Sequence, residues 1–206
     1  MINNMDLTQK QYDTLKEIIN IGVGKSAATL NEMLQSHIDL SVPKIAVQSI
    51  DECTDLLLNT NSIDKSQLSA VKMNFHGSLN GCAELIFPQD SASHLVSSLI
   101  GEIPTNDEVV DLKAGTVSEV GNIILNGVMG SITNLINGHV EYTPLEYFEG
   151  DHKNILRIEI TDKNIVIIFA DTKFIVKDLN ITGNIILMYS VDTFKKLEII
   201  IDRMNL

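Results

Sequence analysis

Tryptophan is absent from this 206-residue chain and aromatic residues make up only 5% of it, so a core has to be assembled from aliphatic side chains. Cysteine occurs twice, at Cys53 and Cys82, without CxxC spacing. Two such thiols, with no basic region and apolar run at the amino terminus, exclude a disulfide framework and point to a reducing, cytoplasmic compartment. Cationic residues are also scarce: 15 Lys and Arg against 27 Asp and Glu leave a net charge of −12. That balance excludes an electrostatic grip on nucleic acid or on an anionic membrane, since both require clustered positive charge. No apolar run approaches the roughly 20 residues of a membrane-spanning helix. The longest, such as IVIIFA at 165–170, read as buried strands, so membrane insertion is not expected. The five histidines, His37, His76, His94, His139 and His152, lack ligand spacing, and no metal site is expected. The stretch Gly22-Val23-Gly24-Lys25-Ser26 departs from GxxxxGK[ST] and follows no strand, which removes a phosphate-binding loop.

What remains is a hydrophobic fraction of 44% in a chain long enough to bury roughly 70% of its unfolded surface. The first helix is expected from near residue 7, capped by Asp6 or Thr8, to about residue 36. Small residues at Gly22, Gly24, Ser26, Ala27 and Ala28 would let a second helix approach it closely. Pro43 ends the connection, and 44–50 alternate as a strand. Residues 51–66 read equally as a short helix or as the lead-in to a strand. Segments 69–77 and 80–88, flanking the turn signal Ser78-Leu79-Asn80-Gly81, form an antiparallel pair. Asp90-Ser91 then cap a helix that stops at Gly101. A linker at 101–108 leads to a second long helix, Val109 to about Asn137, stopped by Gly138. Strand-like segments follow at 139–147, 154–160, 164–178 and 180–190, and a terminal helix opens at Val191-Asp192.

One offset organises the chain. At 102 residues, Glu17 falls on Glu119, Asn20 on Asn122, Leu30 on Ile132, Gly81 on Gly183, Asp90 on Asp192 and Leu95 on Leu197. Cap residues, turn glycines and apolar helix positions match in register. The fold class expected is α+β: a single pseudo-twofold domain over 1–206, built from two α-β-β-β-α repeats at about 7–101 and 107–206. Its central sheet is largely antiparallel and carries two long helices.

Asp13, Glu17 and Asn20, spaced by four and three, lie along one face of the first helix. Alone they would read as a solvated stripe. Their return as Glu119 and Asn122 argues for chemistry, because a structural repeat preserves apolar positions more readily than exposed polar ones. Glu-x-x-Asn sets a carboxylate and an amide one turn apart; the amide offers donors and an acceptor that can hold a water in one orientation. No activated nucleophile and no metal ligand set accompanies the pair.

Asp13-x3-Glu17-x2-Asn20-x22-Pro43 resembles, at every fixed position, the [DS]-x3-E-x2-N-x22-P signature of the CheC, CheX and FliY family of chemotaxis phosphatases. The resemblance extends over nearly the whole chain, since the family has two such motifs in a pseudo-symmetric domain. With two motifs and no flagellar-switch domain before residue 206, the CheC type is the nearest in kind. The second copy departs twice: Gly115 stands where the family has Asp or Ser, and Pro144 follows Asn122 one residue early. On that ground the first site is expected to be the stronger.

The resemblance implies hydrolysis of the aspartyl phosphate of a CheY-type receiver. Asn20 and Asn122 would orient the attacking water, and Glu17 and Glu119 would pair with a receiver lysine. Asp13, Pro43 and Pro144 would be supporting motif positions. The protein would need no cofactor of its own, because the Mg2+ belongs to the phosphorylated receiver. The alternative the resemblance offers is a non-catalytic adaptor that binds and regulates the receptor deamidase CheD.

Overall fold

The structure, a computed structural model, describes residues 7–34, 37–49, 52–53, 67–100, 108–151, 155, 165–176 and 179–203. Four helices are described: α1 Gln9–Leu34, α2 Gln89–Ile100, α3 Glu108–Ile136 and α4 Val191–Asp202. The strands are β1 Ile38–Gln48, β2 Leu68–Gly77, β3 Gly81–Pro88, β4 Val140–Tyr142, β5 Glu146–Gly150, β6 Ile165–Val176 and β7 Leu179–Ser190.

Local chemistry sets the ends of these elements. Of the two candidate caps for α1, Thr8 is the one used. Its hydroxyl accepts from the Gln11 backbone N–H at 3.2 Å while the Gln11 side chain accepts from the Thr8 N–H at 2.8 Å, a reciprocal capping box. The Gln11 amide then donates to Asp202 at 3.0 Å and so fastens α1 to α4. Ser190 caps α4 in the same manner, accepting from Thr193 N–H at 3.2 Å.

All the strands pair antiparallel in one seven-stranded sheet of order β1-β6-β7-β3-β2-β4, with β5 also on β2. Exchanging β1 for β4–β5, β2 for β6 and β3 for β7 reproduces this order read from the opposite edge. The symmetry also reaches single residues. The 102-residue offset carries Glu84 onto Ile186, and these two are direct partners in the β3–β7 ladder, so the pseudo-twofold axis passes between them. The α+β class with two α-β-β-β-α repeats is thus the observed architecture.

Two details differ from the sequence reading. β1 begins at Ile38 and not after Pro43; the proline sits inside the strand, where the register shifts between Ser41 and Lys44. A bulge leaves ladder positions without partners and so tolerates a residue that cannot donate. The segment 139–147 divides into β4 and β5 around Pro144, whereas 165–176 form one continuous strand as read. The ambiguous stretch 51–66, apart from Glu52 and Cys53, and the strand expected at 154–160, apart from Ile155, lie outside the described residues.

The long helices cover one sheet face. The main core joins Leu15, Ile19, Val23 and Leu30 of α1 and Val117, Ile124, Val128 and Ile132 of α3 to Leu85, Phe87, Ile168 and Leu187 of the sheet. A smaller apolar cluster on the other face includes Ala70, Ile86, Ile167, Phe169, Ile186 and Met188, closed by Cys53 and Ile155. Gly22 and Ser26 of α1 face Gly127 and Ile123 of α3, so the two helices run in opposite directions. Contact there is close enough that the single Ser26 hydroxyl hydrogen is shared between Ile123 O across the seam at 3.1 Å and Gly22 O one turn back at 2.9 Å. The close approach expected from the small residues therefore occurs at Gly22 and Ser26, one turn apart. Gly24, between them in sequence, faces open space.

Candidate functional site

The outward surface of the α1–α3 pair carries all the polar motif residues. Asp13 and Glu17 on α1 are exposed, as are Glu119 and Asn122 on α3, whereas Asn20 is half-buried. Because the helices are antiparallel and each Glu-x-x-Asn precedes the crossing on its own helix, the two pairs lie on opposite sides of that crossing. They form two separate sites and not one composite site.

In the first site, the Asn20 side chain commits both donors and one acceptor position to backbone. Its Nδ2 donates to Lys16 O at 3.0 Å and to Val42 O at 3.2 Å, and its Oδ1 accepts from the Val42 N–H at 2.9 Å. Val42 is buried at 1% exposure and immediately precedes Pro43 in the β1 bulge. The bulge takes both Val42 backbone groups out of the ladder, and buried backbone groups need partners. Asn20 supplies them. The 22-residue spacing between asparagine and proline thus has a local physical cause: the proline holds open the bulge whose preceding residue the amide grips. Asp13 accepts from the Gln9 amide at 2.9 Å, one turn back along the helix.

The second site is built differently. Thr143, which precedes Pro144 as Val42 precedes Pro43, turns to β2. Its N–H donates to Asn74 O at 3.0 Å, and its hydroxyl accepts from Asn74 N–H at 3.0 Å. The backbone that would have gripped Asn122 is therefore satisfied elsewhere, in keeping with the one-residue shortening before Pro144. Instead, Asn126 donates Nδ2 to Asn122 Oδ1 at 2.7 Å and to Asn122 O at 2.8 Å. Gly115 is exposed, and a side chain there would meet nothing within 4 Å.

Sequence reasoning placed Glu17, Asn20, Glu119 and Asn122 on two helix faces, and the structure puts them there. It missed three partners: the Val42 backbone, the Asn74–Thr143 tie and Asn126. Only Asn126 left a signal, an asparagine one helical turn beyond Asn122.

Neither thiol offers a nucleophile. Burial, reinforced by the Glu84 carboxylate, pushes Cys53 up to about 12; the same causes push Cys82 to about 12 against a smaller opposing pull from Lys72. Among the described residues, no group of three His, Cys, Asp or Glu could hold a metal ion, and no helix is long and apolar enough to cross a membrane. The surface amides can donate to or accept from a water, and the carboxylates can pair with a cation on a partner.

Two Glu-x-x-Asn pairs lie on the outward surface of an antiparallel helix pair over a pseudo-twofold sheet, and known proteins share this motif and fold. The model of the CheC-like family matches residues 11–47, a stretch that begins within the first turn of α1, runs into β1 and contains Asp13, Glu17, Asn20 and Pro43. The chain is similar to the CheY-P phosphatase CheC of Bacillus subtilis, 26% identical over 132 residues, which are 63% of this chain and 61% of that protein. It is also similar to the flagellar motor switch phosphatase FliY of Bacillus subtilis, 21% identical over 68% of this chain and 35% of that protein. The match thus spans less than two thirds of the length of either relative. Among solved structures, FliY of Thermotoga maritima shares the fold with a TM-score of 0.73 at 17% identity, over 97% of this chain and 99% of that one. The resemblance to the CheC, CheX and FliY family carried by the motif is therefore borne out.

Proposed function

We propose that this protein is a phosphatase of a phosphorylated CheY-type receiver and that Glu17, Asn20, Glu119 and Asn122 form its two sites. The observation that carries this is the repeated Glu-x-x-Asn on the outward surface of the helix pair, where packing accounts for Asn20 through its grip on Val42 but gives no reason for exposed Glu17, Glu119 and Asn122. An aspartyl phosphate is already activated, and a receiver that holds Mg2+ and a lysine beside it lacks only an in-line water. An asparagine amide inserted there orients that water. The water oxygen bonds to phosphorus, the bond from phosphorus to the aspartyl oxygen breaks, and inorganic phosphate and a restored carboxylate leave. Glu17 and Glu119 set the register by pairing with the receiver lysine. Asp13, Pro43 and Pro144 support the motif, Pro43 through the bulge that seats Asn20. The Mg2+ is the partner's. The two repeats act as one domain, and the protein works in the cytoplasm on a receiver found there.

Positioning of this kind is worth about 3 kcal/mol, or roughly 10²-fold in rate. Asn20→Ala combined with Asn122→Ala is expected to return the phosphoryl lifetime of the receiver to its unassisted value. Melting curves of the variant establish that it remains folded. A folded double variant that shortens the lifetime as the wild type does would refute the mechanism.

A second reading rests on the Asn20 grip of Val42: a motif amide used for structure is compatible with an adaptor that binds CheD. The same decay assay with CheD added, together with gel filtration of the mixture, separates the two. The adaptor reading requires a stable complex and predicts that the double variant still forms it.

A further inference from the structure

We infer that the Glu119–Asn122 pair is the working one of the two sites and that Asn126 is its positioning residue; the inference rests on the phosphatase reading. It reverses the order expected from Gly115, and the hydrogen-bond inventory of the two amides is the reason. An asparagine side chain has two N–H donors and two acceptor lone pairs. Asn20 has given both donors away, to Lys16 O and Val42 O, and one lone pair to the Val42 N–H. One acceptor position is left. Turning that amide outward would leave both backbone groups of Val42 unpaired at a buried position, which is costly.

Asn122 keeps both donors and one lone pair. The lone pair it has given up is held by Asn126 Nδ2, whose other hydrogen is fixed on the Asn122 backbone oxygen. This arrangement sets the orientation of the amide. Flipping it would bring the Asn122 NH2 group against the Asn126 NH2 group, donor against donor. Asn126 therefore holds the Asn122 carbonyl on the helix side and leaves its NH2 edge free for solvent or a partner, with no ordering needed when the receiver docks. The absent side chain at Gly115 takes nothing from this, because the support comes from the turn after Asn122 and not from the turns before it.

The test compares wild type, Asn20→Ala, Asn122→Ala, Asn126→Asp and Asn126→Gln in steady-state turnover of a CheY-type receiver phosphorylated by a small-molecule phosphodonor. Asn126→Asp is nearly isosteric but replaces the donor by an acceptor; Asn126→Gln keeps an amide donor. Asn122→Ala is expected to lower kcat at least tenfold and by more than Asn20→Ala does, while Asn20→Ala also reduces the melting temperature by about 5 °C. Asn126→Asp is expected to lower kcat about tenfold with KM and melting temperature unchanged, and Asn126→Gln to stay within about twofold of wild type. Side-chain amide NMR gives a readout independent of turnover: the Asn20 NH2 protons exchange slowly, those of Asn122 rapidly, and Asn126→Asp shifts the Asn122 pair. Unchanged kcat in Asn126→Asp, or equal losses in the Asn20 and Asn122 variants, overturns the inference. A wild type that leaves the receiver's lifetime unchanged, with the amide signals as stated, overturns the phosphatase reading and this inference with it.

Discussion

Gly22→Ala is expected to lower stability by about 3 kcal/mol and the melting temperature by about 9 °C. A methyl group at Gly22 would lie 2.6 Å from the Val128 Cα and 2.7 Å from the Gly127 carbonyl oxygen, and both of these are backbone. A flexible side chain could move aside; a helix backbone cannot, so α1 and α3 must separate. That separation breaks the Ser26 bond to Ile123 and loosens Val23 and Val128, which are buried at the seam. Alanine's better helix propensity returns at most about 1 kcal/mol. Gly24→Ala supplies the control, since its methyl group would meet nothing within 4 Å and only the propensity gain applies. Thermal unfolding of the two variants should therefore move in opposite directions. Equal shifts would mean that the helices are not in backbone contact.

The second large effect concerns Lys72 and Glu84. They face each other across the β2–β3 ladder with Nζ 3.2 Å from Oε1, on the sheet face away from the long helices. Glu84 is 1% exposed among Ala70, Ile86 and Ile186. Burial raises its carboxyl from 4.5 to about 7 even though Lys72 pulls it down. A carboxyl with a raised folded value binds its proton more tightly in the folded state. Its contribution is full below the unfolded value of 4.5 and is lost as pH rises through about 7. Across that window the wild type should lose about 3 kcal/mol from this group, and Glu84→Gln should flatten the slope. Lys72→Met removes the cation paired with the buried Glu84 carboxylate. It should cost about 3 kcal/mol or more at pH 8, where Glu84 is ionised, and markedly less at pH 5, where it is neutral. Denaturant unfolding at the two pH values checks both variants. A Lys72→Met penalty independent of pH would show that the carboxyl titrates in its ordinary range.

Much of this architecture was legible in the sequence because periodicity reports burial. The 102-residue offset that carries Asn20 onto Asn122 and Leu30 onto Ile132 marked both long helices and predicted the symmetry that pairs Glu84 with Ile186. The Lys72–Glu84 pair follows from the β2–β3 register, which the turn signal at Ser78-Leu79-Asn80-Gly81 does not fix by itself. Pro43 misled, because a proline in a bulge and a proline that ends a loop look alike until the partner strand is known. Five small residues in α1 all looked able to admit another helix, yet the close approach is made by Gly22 and Ser26, one turn apart, while Gly24 faces open space. At the sites, residue types were readable and commitments were not. Whether an asparagine spends its hydrogen bonds on a strand 22 residues away or on a neighbour one turn along depends on backbone groups, which carry no sequence signal. Hence Gly115 suggested a weak second site, whereas the grip of Asn20 on Val42 points to the first as the more constrained.

The most direct measurement is the lifetime of a phosphorylated CheY-type receiver with and without this protein at catalytic concentration. Shortening of that lifetime by roughly 10²-fold, lost in the Asn20→Ala and Asn122→Ala double variant, is the predicted result. A lifetime that the wild-type protein leaves unchanged would contradict the account.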